Sequence, residues 1–271
     1  MKTSFIKMHG LGNDFVIFDG RQAPIRLNAQ QAAKLADRRM GIGCDQVIVM
    51  EASSKADVFM RILNADGSEV SSCGNATRCV AWLIMQENRK DTATVETRAG
   101  IMQAVRIGDK DIRVDMGMPK FEWQDIPLAK AVDTKKLDIT HGDLHSPAVV
   151  SMGNPHMVFV VKDVESVDLQ AAGKILEHHP LFPERANVSI AQVIDKRHVK
   201  LRVWERGAGL TLACGTAACA TVAALHNNGL VDAIAEIKLP GGTLNIEWDK
   251  VTQHIYMTGA VAESFTGEVK L

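Results

Sequence analysis

The sequence predicts an α+β protein of two pseudo-symmetric lobes, each a mostly antiparallel sheet wrapped around one central helix. Three observations lead there. The chain repeats itself: the offset that carries Cys73-Gly74 onto Cys214-Gly215 also carries Gly12-Asn13 onto Gly153-Asn154, Gln46 onto Asn187, Arg61 onto Arg202, Asn64 onto Glu205 and Gly100 onto Gly241. Short apolar runs alternate with polar residues and end at Gly or Asn, as half-buried strands do. Both stretches that follow the paired cysteines are apolar on nearly all sides, as a helix enclosed by sheet would be.

In chain order, 5–8 and 15–18 read as strands flanking the Gly10-Leu11-Gly12-Asn13-Asp14 turn. Residues 28–39 carry Ala32, Ala33, Leu35 and Ala36 at helical spacing, with Asn28 as N-cap. A loop over 41–46 leads to a strand at 47–50, and a further strand over 58–63 leads to the helix opening at Cys73. Strands at 92–97, 102–107 and 112–115 complete the first copy. Residues 119–143, with Pro127 and many charges, fit the repeat poorly and begin as the crossover. The second copy then gives strands around Gly153-Asn154, a helix over 169–178, a loop at Asn187, the Cys214 helix, and strands at 243–248 and 254–257. The lobes are therefore expected at 1–118 and 119–261. By symmetry with the crossover, the tail 262–271 is expected to pack back on the first lobe.

Composition narrows the class. The 271 residues are 46% hydrophobic and 23% charged, ordinary for a soluble globular chain. A net charge of −1 and 5% aromatics argue against a nucleic-acid partner, which needs a basic face and stacking platforms. No apolar run is long enough for a membrane span, and 1–15 lacks a signal-peptide core. Five cysteines, an odd number, fit a reducing cytoplasm better than a disulfide framework.

The repeat marks where chemistry is expected. A cysteine followed by Gly at a helix start lies beside unsatisfied backbone N–H groups and the positive end of a dipole. Such an end contributes up to about 2 kcal/mol, roughly 1.5 pKa units, enough to bring a thiol from about 8.5 to about 7. One such cysteine is usually packing; two at equivalent positions point to function. If equivalent loops met at one interface, two thiols would flank one carbon, as stereochemical inversion requires: one removes a proton and the other delivers one opposite. The other paired positions suit an amino acid. Asn13, Gln46, Asn64, Asn154 and Asn187 offer neutral donors and acceptors, Glu205 suits an ammonium and Arg206 a carboxylate. Backbone N–H groups at Gly74, Asn75, Gly215 and Thr216 would grip the substrate carboxylate. Neutral Asn64 against charged Glu205 breaks the symmetry, as an asymmetric ligand needs. His156, beside Asn154, and Glu205 are candidates to tune one thiol. Cys44, Cys79 and Cys219 have no cysteine counterpart and read as packing. No zinc-type spacing is present, so no metal is expected. The repeat marks no lysine for a Schiff base, so no pyridoxal phosphate or other cofactor is expected.

At these residues the chain resembles the diaminopimelate epimerases. The carrying motifs are Met8-His9-Gly10-Leu11-Gly12-Asn13-Asp14-Phe15, Asn64-Ala65-Asp66-Gly67-Ser68-Glu69, Cys73-Gly74-Asn75, Gly153-Asn154-Pro155-His156, Trp204-Glu205-Arg206-Gly207 and Ala213-Cys214-Gly215-Thr216. They span nearly the whole chain. The resemblance implies cofactor-independent interconversion of LL- and meso-diaminopimelate, in lysine and peptidoglycan precursor synthesis, by a thiolate/thiol pair, Cys73 and Cys214. It implies substrate contacts from Asn13, Gln46, Asn64, Gly74, Asn75, Asn154, Asn187, Glu205, Arg206, Gly215 and Thr216, and tuning of the cysteines by His156 and Glu205. It implies a homodimer. Where the family usually has Gly, both halves carry Ala, at Ala76 and Ala217.

Rival expectations are a related racemase acting on proline or hydroxyproline, a thiol–disulfide protein, and a non-catalytic amino-acid binder. The absence of any Cys-x-x-Cys counts against the second. Turnover of a substrate panel separates the first, and α-proton exchange separates the last.

Overall fold

The computed structural model describes residues 2–271 and divides into two compact units, 2–114 with Thr258–Leu271, and Asp115–Met257. The architecture is α+β, a large mixed sheet with few helices. Among the described residues, no helix is long and apolar enough to cross a membrane.

In the first unit, strand Lys2–Gly10 pairs antiparallel with Asn13–Asp19 on one side and with Ala262–Lys270 on the other. Asn13–Asp19 runs parallel to Gln46–Glu51, which runs antiparallel to Val58–Asn64. Val58–Asn64 pairs parallel with Thr92–Thr97, followed by the hairpin to Gly100–Arg106. The parallel pairings depend on helical crossovers. The first crossover is α1, Ala29–Ala36, shorter than the predicted 28–39. Asn28 starts it with a full capping box: its Oδ1 accepts from Gln31 N at 2.9 Å and its own N–H donates to Gln31 Oε1 at 3.1 Å. Ala32, Leu35 and Ala36 form its buried face. The second crossover is α2, Gly74–Asn88, with ten of fifteen residues buried. Val80, Ile84 and Met85 are 0–1% exposed, each stabilising by about 1.5–3 kcal/mol. Arg89, in the left-handed region at φ 53°, ends it.

The second unit repeats the pairings. Ala148–Ser151 pairs antiparallel with Pro155–Val160, which runs parallel to Asn187–Val193, antiparallel in turn to His198–Glu205. The parallel crossover here is α3, Leu169–Leu176, with Asp168 as N-cap accepting from Ala171 N. After it comes α4, Gly215–Asn227, almost wholly buried and rich in Ala. His198–Glu205 runs parallel to Ile234–Leu239, which hairpins into Gly242–Trp248.

Two expectations are corrected. Residue 187 lies not in a loop but at the start of a strand, because its backbone joins the parallel ladder opposite His156. The repeat is also not ungapped to its end. Thr97↔Gly100 in the first hairpin corresponds to Leu239↔Gly242 in the second, so Gly100 matches Gly242 rather than Gly241. Both glycines hold positive φ, 134° and 144°. The slip arises after the helices: α4 ends earlier than α2 in the shared register, and the connection to its next strand is longer.

Candidate active site

In the first unit, Cys73 is the N-cap of α2, extended at φ −151°, with no side-chain cap bond. The backbone N–H groups of Gly74 and Asn75 open the first turn, and the Thr77 N–H closes it on the Cys73 carbonyl at 2.9 Å. The strand ladder brings the other residues to this end. Gln46 opens one strand, Asn64 closes its neighbour, and the two stand opposite each other in register. Gln46 Nε2 donates to Asn64 Oδ1 at 3.0 Å, and Asn64 Nδ2 donates to Ser68 Oγ at 3.1 Å. The second amide atom of Gln46, Oε1, is buried without a protein partner. Ser68 is placed by a turn in which Gly67, at φ 83°, packs on Ala29; an added Cβ would meet the Ala29 carbonyl at 2.2 Å. Asn13 reaches the thiol. Its Oδ1 accepts from Asn75 Nδ2 at 3.1 Å and from Cys73 Sγ at 3.9 Å.

In the second unit Cys214 caps α4 in the same extended way, φ −127°. Its Sγ lies 3.5 Å from Thr216 Oγ1, which Asn154 Nδ2 also reaches at 3.5 Å. The Asn154 oxygen faces His156 Nε2 at 2.9 Å, so that ring nitrogen carries the proton. His156 is wholly buried, and its Nδ1 has no partner. Burial, aided by the charge of Arg206, pushes its pKa down to about 3. His156 therefore enters this network as a neutral donor. Asn187 has both amide ends on backbone: Oδ1 accepts from Arg206 N and Nδ2 donates to the Pro155 carbonyl, both at 3.0 Å. Arg206 also donates through Nη1 to the Glu184 carbonyl at 2.9 Å. Glu205 Oε1 accepts from Thr211 Oγ1 at 2.5 Å.

The electrostatics of Cys214 correct an expectation. A lowered thiol pKa was expected from the helix terminus, but burial and the neighbouring Glu205 carboxylate push this thiol well up, against smaller lowering contacts from Thr216 and the Ala217 N–H. Desolvation is the largest influence on it. Cys44 and Cys79 are buried, each with its pKa raised to about 12, in keeping with packing. None of the five cysteines is in a disulfide.

Two supporting residues escaped the sequence reading because the repeat gives them no like partner. Asp45 Oδ2 accepts from Asn13 Nδ2 at 2.9 Å. Glu177, 3% exposed, accepts from Trp204 Nε1 at 2.7 Å, Gly207 N at 3.0 Å and Arg185 Nη1 at 3.2 Å, tying down the chain on both sides of Glu205 and Arg206. The only sequence signal for Asp45 is its place beside Gln46. Among the described residues, no cluster of His, Cys, Asp and Glu is arranged to hold a metal.

Comparison with known proteins sets these residues in context. The chain is 50% identical over 273 residues to a diaminopimelate epimerase of Phenylobacterium zucineum, covering 99% of this chain and 98% of that one. It is 52% identical over 268 residues to one of Erythrobacter litoralis, covering 98% and 97%. Among solved structures, a phenazine biosynthesis protein of the PhzF family from Bacillus anthracis aligns with a TM-score of 0.72 at 18% identity over 100% of both chains. A probable proline racemase from Agrobacterium radiobacter aligns with a TM-score of 0.72 at 16% identity over 99% of this chain and 93% of that one. These likenesses at low identity show the shared fold. The family model described as diaminopimelate epimerase matches residues 5–122 and 148–263, and the chain belongs to that family.

Proposed function

We propose that this protein is an isomerase that interconverts LL- and meso-2,6-diaminopimelate without a cofactor, using one cysteine from each of two duplicated lobes. The observation that carries the mechanism is the paired placement of Cys73 and Cys214, each the extended N-cap of a buried helix and each followed by Gly. The recurrence of the strand pairings in the second unit, with α2 two-thirds buried and α4 almost wholly buried, supports lobes built as sheets around a central helix. The pairing of Ala262–Lys270 with Lys2–Gly10 supports assigning the tail 262–271 to the first lobe. Family resemblance and the odd cysteine count support a homodimer working in the cytoplasm.

One thiolate takes the α-proton from one face of the carbon, and the thiol of the other cysteine delivers its own proton to the opposite face. The electron pair left by the C–H bond is held in the carboxylate π-system until the new C–H bond forms, and the two sulfurs exchange charge states. First-turn N–H groups at Gly74, Asn75, Gly215 and Thr216 receive the carboxylate and stabilise the charge that develops on it. Asn13, Gln46, Asn64, Asn154 and Asn187 shape the polar surround, Arg206 pairs a carboxylate and Glu205 an ammonium. Glu205 raises the affinity of Cys214 for its proton, which suits a thiol waiting to donate. Each positioned acid or base supplies about 10²–10⁴ in rate. His156 fixes Asn154 and through it Thr216, beside Cys214.

The test is incubation of the pure protein with LL-diaminopimelate in deuterated water. Product carries deuterium from the first turnover, while recovered substrate stays protiated early. Equal early deuteration of both means one base serves both faces and overturns the paired-cysteine mechanism; absence of epimerisation overturns the function.

A further inference from the structure

The Asn13 amide has two unlike ends, and chemistry decides which end faces which neighbour. A carboxylate only accepts hydrogen bonds, so the end beside Asp45 must be the NH₂ group. With Nδ2 held on Asp45 Oδ2 at 2.9 Å, Oδ1 is turned toward the start of α2, onto Asn75 Nδ2 at 3.1 Å and Cys73 Sγ at 3.9 Å. Asp45 is itself immobilised. Its Oδ2 also accepts from Asp14 N at 3.2 Å, its Oδ1 accepts from Arg38 Nη2 at 2.7 Å, and its own N–H donates to Asp14. Asp14 in turn accepts from both Arg38 and Lys7. Lys7, 7% exposed, also donates to the Gly43 carbonyl. A cluster of Lys7, Asp14, Arg38 and Asp45 thus backs a single amide.

We propose that Asp45 is a positioning residue for Cys73: by capturing the Asn13 NH₂ group it turns an acceptor oxygen, rather than a donor, toward the thiol. The inference rests on Cys73 being a reacting thiol. The acceptor suits the protonated sulfur, which can donate to it, and gives nothing to a thiolate. It also fixes the Asn75 amide, whose Nδ2 is committed to Asn13. Were Asp45 replaced by Asn, which both donates and accepts, Asn13 would be free to turn over and put its NH₂ group on the sulfur. That would hold Cys73 as an unreactive-as-a-donor thiolate: easier to alkylate, poorer at giving up a proton.

The test reads two quantities that move in opposite directions. In Asp45→Asn, alkylation of Cys73 by iodoacetamide, followed on the Cys73 peptide by mass spectrometry near neutral pH, is expected to rise several-fold, while kcat for epimerisation falls about tenfold with little change in KM. Lys7→Met, which removes a partner of Asp14 that does not touch Asp45, lowers Tm but leaves Cys73 alkylation within about twofold of wild type. A purely structural role predicts equal changes in both variants, and that outcome overturns the proposal. So does an unchanged alkylation rate in Asp45→Asn. If that variant does not fold, the unmodified protein decides: nuclear Overhauser contacts from the Asn13 NH₂ protons must reach Asp45 Hβ, and contacts to Cys73 Hβ instead refute it. Alkylation and these contacts need no substrate, so failure of the epimerase reading is visible separately as a rise in alkylation without any turnover in the wild type.

Discussion

Asn13 and Asn154 stand at equivalent places before cysteine-led helices, yet they are held in opposite senses. Asn13 gives its NH₂ group to Asp45 and shows its oxygen to Cys73; Asn154 gives its oxygen to His156 and shows its NH₂ group to Thr216 beside Cys214. The backbone around them is similar, since Asn13 opens and Asn154 immediately precedes a strand that runs parallel to the next through a helical crossover. What differs is the support behind the amide. In the first unit it is ionic and reaches the surface, with the Arg38 side chain 58% exposed; in the second it is a neutral, wholly buried imidazole. A duplicated backbone can thus be given two polarities by one side chain apiece, and a site for an asymmetric substrate can be built on a symmetric frame.

The largest effect that tests this comparison comes from the thiols. Cys73→Ser and Cys214→Ser are each expected to lower epimerisation by about 10³-fold, within the range for loss of a positioned acid or base. Each variant should still exchange the α-proton of one isomer, and a different isomer in each case. Proton NMR in deuterated water reads this; if both exchange the same isomer, the halves do not divide the two faces. Next is Glu177→Met, which leaves the Trp204, Gly207 and Arg185 donors without their buried acceptor. We expect a loss of about 3 kcal/mol in urea unfolding, in the range for a broken buried network.

A smaller effect separates the two supports by pH. Burial and the Arg206 charge hold His156 at a pKa of about 3 in the folded protein, below the ordinary imidazole value of 6.5, so the unfolded chain binds its proton first as pH falls. Its contribution is complete above about pH 6.5 and is lost on going down toward pH 3, at up to about 1.4 kcal/mol per pH unit. Wild type should therefore lose stability faster than His156→Gln between pH 6 and pH 4. Asp14 is different. Burial opposes its ionisation, but hydrogen bonds from Arg38 and Lys7 prevail and hold its pKa at about 2, so its contribution fades only below about pH 3.8. Parallel pH slopes for wild type and His156→Gln would remove the contrast. The smallest effect tests the frame: Asn28→Ala at α1 and Asp168→Ala at α3 should each cost about 1 kcal/mol. Equal losses would sharpen the view that the scaffolds match while the sites diverge.

Much of this was legible in the sequence, for identifiable reasons. The repeat shows because strand pairing constrains which residue faces which, so Arg61 opposite Val49 recurs as Arg202 opposite Ile190. Its late slip is hidden because the earlier end of α4 and the longer connection after it absorb one residue without disturbing the hairpin that follows. The parallel pairings were not legible: a strand's sequence does not say which neighbour it takes until the crossover is folded. Asn187 misled for the same reason, its polar side chain marking a loop while its backbone joined a ladder. The raised pKa of Cys214 depends on how completely other elements enclose it and on where Glu205 turns, neither of which a helix-start motif encodes. Asp45 had no twin to mark it.

The pairing of Ala262–Lys270 with Lys2–Gly10 has a consequence for how the protein is made. On the ribosome, the first unit emerges long before this strand, and the whole of Asp115–Met257 must be synthesised in between. At about 5–20 residues per second, the edge of Lys2–Gly10 waits on the order of ten seconds or more for its partner. During that interval a row of unpaired backbone groups, with Phe5 beside it, is available to other nascent chains. A strand made well before its partner is thus among the last to be completed, and the yield of the protein in the cell should depend on translation speed and chaperone supply more than its final stability suggests.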